Sequence, residues 1–373
     1  MSQTKITTDN INTLDAAMLT GSALPALNGA ALTNIPGVTN SASDPLISTN
    51  PSAVGAAWLN TTTGNLFCCT DKTAGANVWI NVGSGTGDIE PYVYKYYGTE
   101  FGYVAGGSSS TDVIGRFSLT SQSNATDVGD LTTGRGGTAG GKSATHGFVQ
   151  GDGAAAGHSD EIEKFAYASS ANASLHGDMT QAHNAPAEAS METHIYTMGG
   201  DGAQDNLIQK TATATDSNAS NIGTLVNSIW YVGGSSSTTH GYAAGGFPSN
   251  NIIQKFSFST DGNASDIADL VTSRRDTMGT SSATHGYSSG GYPTQNNIEK
   301  FTFASDANAT DVGDMVSGDD LGTGVSAVDY SYLAGGRNNT NRIQRWSHSS
   351  DGNAVDWADL TVAQGFLPAG SAR

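Results

Sequence analysis

Charged side chains are scarce in this chain of 373 residues, making up 13% of it where an ordinary soluble domain has roughly a quarter. Gly, Ser, Thr, Asn and Ala stand where helix-favouring Lys, Glu and Arg would, which argues against a helical protein. Basic residues are the scarcest: 16 Lys and Arg face 34 Asp and Glu, a formal net charge of −18. That field repels phosphate backbones and anionic headgroups, so no nucleic-acid partner is expected. No stretch reaches the eighteen or so apolar residues of a membrane span, and Met1–Lys5 leads into no apolar signal segment, so no membrane insertion is expected either. There are two cysteines, Cys68 and Cys69. They are adjacent in an expected strand whose alternation turns them to opposite faces, which disfavours a mutual disulfide or a metal site.

Glycine is abundant, with 48 residues, but too aperiodic for collagen, and the 37% of apolar residues recur too steadily for a disordered chain. What recurs is a unit. Thr284-His285-Gly286-Tyr287-Ser288-Ser289-Gly290-Gly291 leads through a variable loop to Ile298-Glu299-Lys300-Phe301-Thr302-Phe303, and then to Asp306-Ala307-Asn308-Ala309-Thr310-Asp311-Val312. Its Asn returns at Asn124, Asn172, Asn218, Asn263, Asn308 and Asn353, at intervals of 48, 46, 45, 45 and 45. Glycine pairs track it at Gly106-Gly107, Gly199-Gly200, Gly245-Gly246, Gly290-Gly291 and Gly335-Gly336. Inside a unit the apolar period is two and the runs are short, so each unit is predicted to hold four strands, a to d in chain order. Six units of that length and content predict an all-β, six-bladed β-propeller. The tail from Leu360 to Ala372 repeats the start of a unit and is expected to supply strand a of the first; Tyr92, Tyr94 and Tyr96 form a rival strand.

The glycine pair ending strand b, and the basic residues Arg135, Arg274 and Arg275 shortly after strand d, resemble kelch-type propellers over residues 99 to 373. The tryptophan that usually follows the kelch glycines is missing from most units, Trp357 alone standing in a comparable strand-d position.

Residues 1–40 lack the repeat and carry a thin apolar stripe: Ile6, Ile11, Leu14, Leu19, Leu24, Leu27, Leu32 and Ile35. It cannot close a core against roughly 1–2 kcal/mol of backbone entropy per ordered residue, so it needs partners. Leu19-Thr20-Gly21 and Leu32-Thr33-Asn34 resemble stem segments of tailed-bacteriophage fibre proteins, which implies an extended N-terminal stem, a homotrimer and attachment to other virion proteins. Residues 41–88 are expected to form a small β meander, Ala57–Asn60, Leu66–Cys69 and Val78–Ile80, ending in the linker Gly83-Ser84-Gly85-Thr86-Gly87. The meander is similar to segments of structural proteins from phages infecting marine bacteria. Residues 89–373 are the expected propeller.

His146, His194, His240 and His285 fall in equivalent a–b turns, too far apart around a ring to share one ion, and are read as turn residues. The c–d turns, such as Asp261-Gly262-Asn263, offer oxygens to a hard cation, but Asp and Asn suit such turns without one. No nucleophile elbow, phosphate loop or zinc-protease motif is present, so no enzyme and no cofactor are expected. Strands alternate in direction, which puts the a–b and c–d turns on one face and the b–c loops on the other. The first face is nearly uniform. The b–c loops differ in every unit: residues 108–113, 152–161, 201–206, 247–251, 292–297 and 337–342. Phe247, Tyr292 and Arg337 follow the glycine pair in three consecutive units, beside Asn250, Asn251, Gln295, Asn296, Asn338 and Asn339. Aromatic faces beside planar amides suit sugar rings and their hydroxyls. The expected function is a virion surface appendage whose propeller adheres to a host receptor or glycan. The alternatives are a purely structural virion decoration and a propeller-fold carbohydrate-active enzyme.

Overall fold

The computed structural model describes residues 38–82, 97–107, 111–152, 159–202, 205–337, 340–366 and 368–373. Residues 1–37 of the expected stem, the linker Gly83–Gly87, and Tyr92, Tyr94 and Tyr96 lie outside the described residues. The described residues are all-β and contain no helix. The chain divides into two compact units, Met1–Val93 and Tyr94–Arg373.

In the first unit, Ala57–Asn60, Leu66–Asp71 and Val78–Asn81 form the expected antiparallel meander, and Val38–Ser41 adds a parallel strand along Ala57–Asn60. This strand crosses the boundary expected at residue 40. The alternation along Leu66–Asp71 buries Phe67 and Cys69 with Trp79, and Ala56 and Trp58 pack against them, Trp58 edge-on to Trp79 at 6.0 Å between centroids. Asn60 closes the turn that follows its strand, its Oδ1 accepting from the Thr62 and Thr63 N–H groups at 2.9 and 3.1 Å. Both thiols are free, and burial pushes that of Cys69 up.

The second unit consists mainly of six small sheets, one per repeat. The fifth shows the plan: Met278–Ser281, His285–Ser289, Asn297–Thr302 and Thr310–Asp314 pair antiparallel in chain order. The third, fourth and sixth sheets repeat it over residues 187–224, 233–274 and 323–359. The first is completed by the end of the chain, as the repeat predicts: Ala369–Ala372 pairs antiparallel with Phe101–Ala105, ahead of Val113–Ser118 and Thr126–Asp130. The expectation of four strands per unit is corrected in the second, whose sheet has three. Its strand a lies in a glycine-rich run, Gly136 to Gly141, which weakens a ladder, and its backbone pairs with strand b as two isolated bridges, Ala139–Gln150 and Lys142–Gly147.

Successive sheets are joined by the residues that recur. Oδ1 of Asn172, Asn218, Asn263, Asn308 and Asn353 accepts a backbone N–H of the preceding sheet, from Asp130, Asp178, Thr224, Asp269 and Asp314, at 3.0–3.1 Å. Asn124 does the same for Asp359 at 3.2 Å, joining the first sheet to the sixth. The alanine after each Asn returns its own N–H to the carbonyl of that same residue at 2.7–2.8 Å. A second joint is buried: Glu163, Gln209, Gln254, Glu299 and Gln344 of strand c accept the N–H of Thr132, Thr180, Val226, Val271 and Val316. The strands a approach so closely that side chains are excluded. A Cβ on Gly234 would strike the Glu188 backbone, on Gly279 that of Gly234, on Gly324 that of Gly279, on Gly370 that of Gly324 and on Gly140 that of Gly370. Between them lies a small cavity whose walls include Thr138, Pro186, Val232, Thr277, Gly322 and Pro368, one residue from each repeat.

Candidate functional site

The b–c loops of the fourth, fifth and sixth sheets leave their strands through glycine pairs with φ of +80° and +111°, +64° and +114°, and +72° and +149°. These values are open to Gly at little cost and turn the chain sharply at the sheet end. The next residue is then pinned to a segment 17 positions upstream: the Phe247 N–H donates to the Trp230 carbonyl at 2.7 Å, that of Tyr292 to Arg275 at 2.8 Å, and that of Arg337 to Asp320 at 2.7 Å. Equivalent geometry in three successive sheets sets these side chains in one row.

The row is longer than sequence reasoning gave it. Trp230 packs on Phe247 at 4.7 Å between centroids. The Arg275 guanidinium lies over both Phe247, at 4.8 Å, and Tyr292, at 4.5 Å, and Arg337 lies 5.7 Å from the Tyr292 centroid. Arg337 is held from below, its Nε donating to Asp320 Oδ1 at 2.6 Å and its Nη2 to Asp276 Oδ2 at 2.8 Å. Burial pushes the carboxyls of Asp276 and Asp319 up, while the bond to Asp320 keeps Arg337 firmly cationic. Trp230, Asp276, Asp319 and Asp320 were not singled out from sequence, although each lies at the same offset from its loop as its counterpart in the next repeat.

The ring of turns beside the row is itself regular. Ala185, Tyr231, Asp276, Leu321 and Phe366 occupy equivalent positions with φ between +53° and +62°, and Gly137 takes the sixth with +69°. N–H groups run around it: Gly137 to Phe366, Ala185 to Gly137, Tyr231 to Ala185, Asp276 to Tyr231 and Leu321 to Asp276, at 2.6–3.4 Å. Five non-glycine residues in a left-handed conformation are strained, and they are held in a chain of backbone bonds that runs from Leu321 through Gly137 to Phe366.

Among the expected site residues, Phe247, Tyr292 and Arg337 are brought together. Asn250 is committed within its own loop, its Nδ2 donating to the Gly246 and Pro248 carbonyls and its Oδ1 accepting from Ile252. Asn251 and Gln295 are half-buried and Asn296 is exposed, and none of them bonds to the row. Asn338 and Asn339 lie outside the described residues. Tyr292 is 43% exposed and the Arg337 side chain 47%, so a ligand can reach an aromatic edge and a cation together. Arg275 covers part of each ring face, making the surface less purely aromatic than expected.

On the opposite turns, Nδ1 of His146, His194, His240 and His285 pairs with the hydroxyl of the preceding Thr at 2.8–2.9 Å, and burial pulls all four pKa values down. Among the described residues no three His, Cys, Asp or Glu side chains converge as a metal site. No protein-family model matches this chain, and no curated protein sequence matches it.

Proposed function

We propose that the six sheets are the blades of a kelch-like β-propeller, the adhesive head of a bacteriophage virion appendage that binds a host surface receptor or glycan. Support for a propeller comes from the cyclic order of the contacts, in which the joint between Asn124 and Asp359 has the form of the other five. The adhesive reading is carried by one observation, the partly exposed row in which Phe247, Tyr292 and Arg337, on loops that differ in every repeat, meet Trp230 and Arg275 of the inter-sheet turns while the Asn joints between the sheets stay the same. Aromatic edges with fixed guanidinium groups suit the apolar faces and hydroxyls of sugars. In this reading residues 1–40 are a trimerising stem that attaches the head to other virion proteins, and the protein has no enzymatic role. Changing Phe247 and Tyr292 to Ala together should weaken adsorption of the protein to host cells about tenfold or more with little change in thermal unfolding. Undiminished adsorption would remove the row as the adhesive surface, and absence of adsorption by the parent protein would favour a structural decoration.

A further inference from the structure

The face that carries the a–b and c–d turns has a repeated ion pair. Lys164, Lys210, Lys255 and Lys300 of strand c each bond the carboxylate two positions before the recurring Asn of the next repeat, respectively Asp216, Asp261, Asp306 and Asp351. The pair is lost at two joints: between the first and second sheets Arg116 and Ser170 stand in these places, and between the sixth and first Arg345 replaces the lysine and Gln122 replaces the aspartate. Among the described residues no carboxylate forms an ion pair with Arg345. Its guanidinium lies over Trp357 at 3.4 Å and Tyr330 at 4.1 Å from the ring centroids, its Nη1 donates to the Tyr332 hydroxyl at 3.3 Å, and its Nε is buried without a partner. The a–b turn of the same sheet has changed too, from Thr-His to Asp329-Tyr330. Beside these residues lies a cavity of about 410 Å³ whose walls include Thr99, Thr120, Asp329, Tyr330 and Arg345.

A planar cation held between two aromatic rings is fixed in orientation and matches a carboxylate edge-on. The volume lies in the range of small-molecule sites, larger than a bare inorganic anion needs. Asp329 and the two threonines add acceptors and donors of the kind that sugar hydroxyls require. We propose that this cavity binds an acidic sugar residue, its carboxylate taking beside Arg345 the place that an aspartate takes at four other joints. The site is distinct from the row at Phe247 and Tyr292, and it requires neither that row nor attachment to a virion.

The test is calorimetric titration of the full chain with D-glucuronate, D-glucose and inorganic sulfate. Glucuronate should bind about tenfold or more tightly than either of the others, the effect of one charge-assisted contact combined with hydroxyl recognition. Arg345→Gln should weaken glucuronate binding about tenfold. Gln122→Asp, which returns the missing carboxylate to an exposed turn, should weaken it similarly without altering thermal unfolding. Failure of glucuronate to bind, equal binding of glucose, or binding undiminished in the Gln122→Asp protein would overturn the proposal. Sulfate binding as tightly as glucuronate would overturn the sugar and leave a simple anion site.

Discussion

Single positions in the repeat follow their opposite numbers. Gly102, Gly147, Gly241 and Gly286 of strand b each face an aromatic ring of strand c, and a Cβ at any of them would strike Phe117, Phe165, Phe256 or Phe301. In the third sheet the ring is replaced by Thr211, and the glycine has become Ile195. Two residues break the pattern of the strands a: Glu188 stands where five repeats have Gly, and Lys142 where four have Ser. Burial pushes Glu188 up to about 7 and pulls Lys142 down to about 7, each opposed by the charge of the other. An unfolded Glu titrates near 4.3, so between about pH 4.3 and 7 the folded chain holds a proton that the unfolded chain has released, and stability falls as pH rises through that window. Lys142→Ser removes the ammonium that offsets the carboxylate, so the fall in melting temperature from pH 5 to pH 8 should be steeper than in the parent. Lys142→Ser combined with Glu188→Gly, which restores the residues common to the other repeats, should flatten it. Equal slopes in all three proteins would show that this pair does not set the pH response.

Between neighbouring sheets the same reciprocity governs charge. Arg135 and Arg274 are almost fully buried, as are Glu163 and Glu299 of the next sheet, with which they form ion pairs. Where the strand-c residue is Gln254 the position of the arginine is held by Ile229, and where strand c has Gly115 it is held by Gln364, whose amide reaches the Gly106 and Val113 carbonyls. Two of the three kelch-like arginines, Arg135 and Arg274, are thus accounted for by a carboxylate in the following sheet, 28 and 25 residues downstream, while Arg275 lies over the Phe247 and Tyr292 rings. Arg274→Ile alone strands a buried carboxylate and should cost about 3–5 kcal/mol in denaturant unfolding. Adding Glu299→Gln copies the Ile229–Gln254 joint and should recover most of that loss. A double variant no more stable than the single one would mean that the arginine acts by packing rather than by charge.

For the whole molecule, the cyclic order of joints concentrates the contacts of residues 94–373 within that segment, while the proposed function assigns residues 1–40, with their thin apolar stripe, to a trimerising stem. Residues 94–373 prepared alone should therefore be folded and monomeric by circular dichroism and light scattering, whereas the full chain should have three times its monomer mass. A trimeric head, or a monomeric full chain, would remove the stem from its proposed role.

The all-β class, the period, the strand order and the completion of the first sheet by the chain end were legible in the sequence, because each rests on local alternation and on Asn and Gly that recur at fixed intervals. The near uniformity of the turn face was legible as well, but not the loss of its ion pair at Arg116 and Arg345, because the lysine and the aspartate of each pair lie 51 or 52 residues apart in different repeats. The row at Phe247 was legible only in part. Phe247, Tyr292 and Arg337 follow visible glycine pairs, but Trp230, Arg275, Asp276 and Asp320 join them from the preceding inter-sheet turns. Which oxygens remain available was decided by tertiary structure alone. An Asn or Asp has the same chemistry in every turn, and only the approach of the neighbouring sheet determines whether its acceptor is already taken, as it is for Asn308 by the Asp269 N–H.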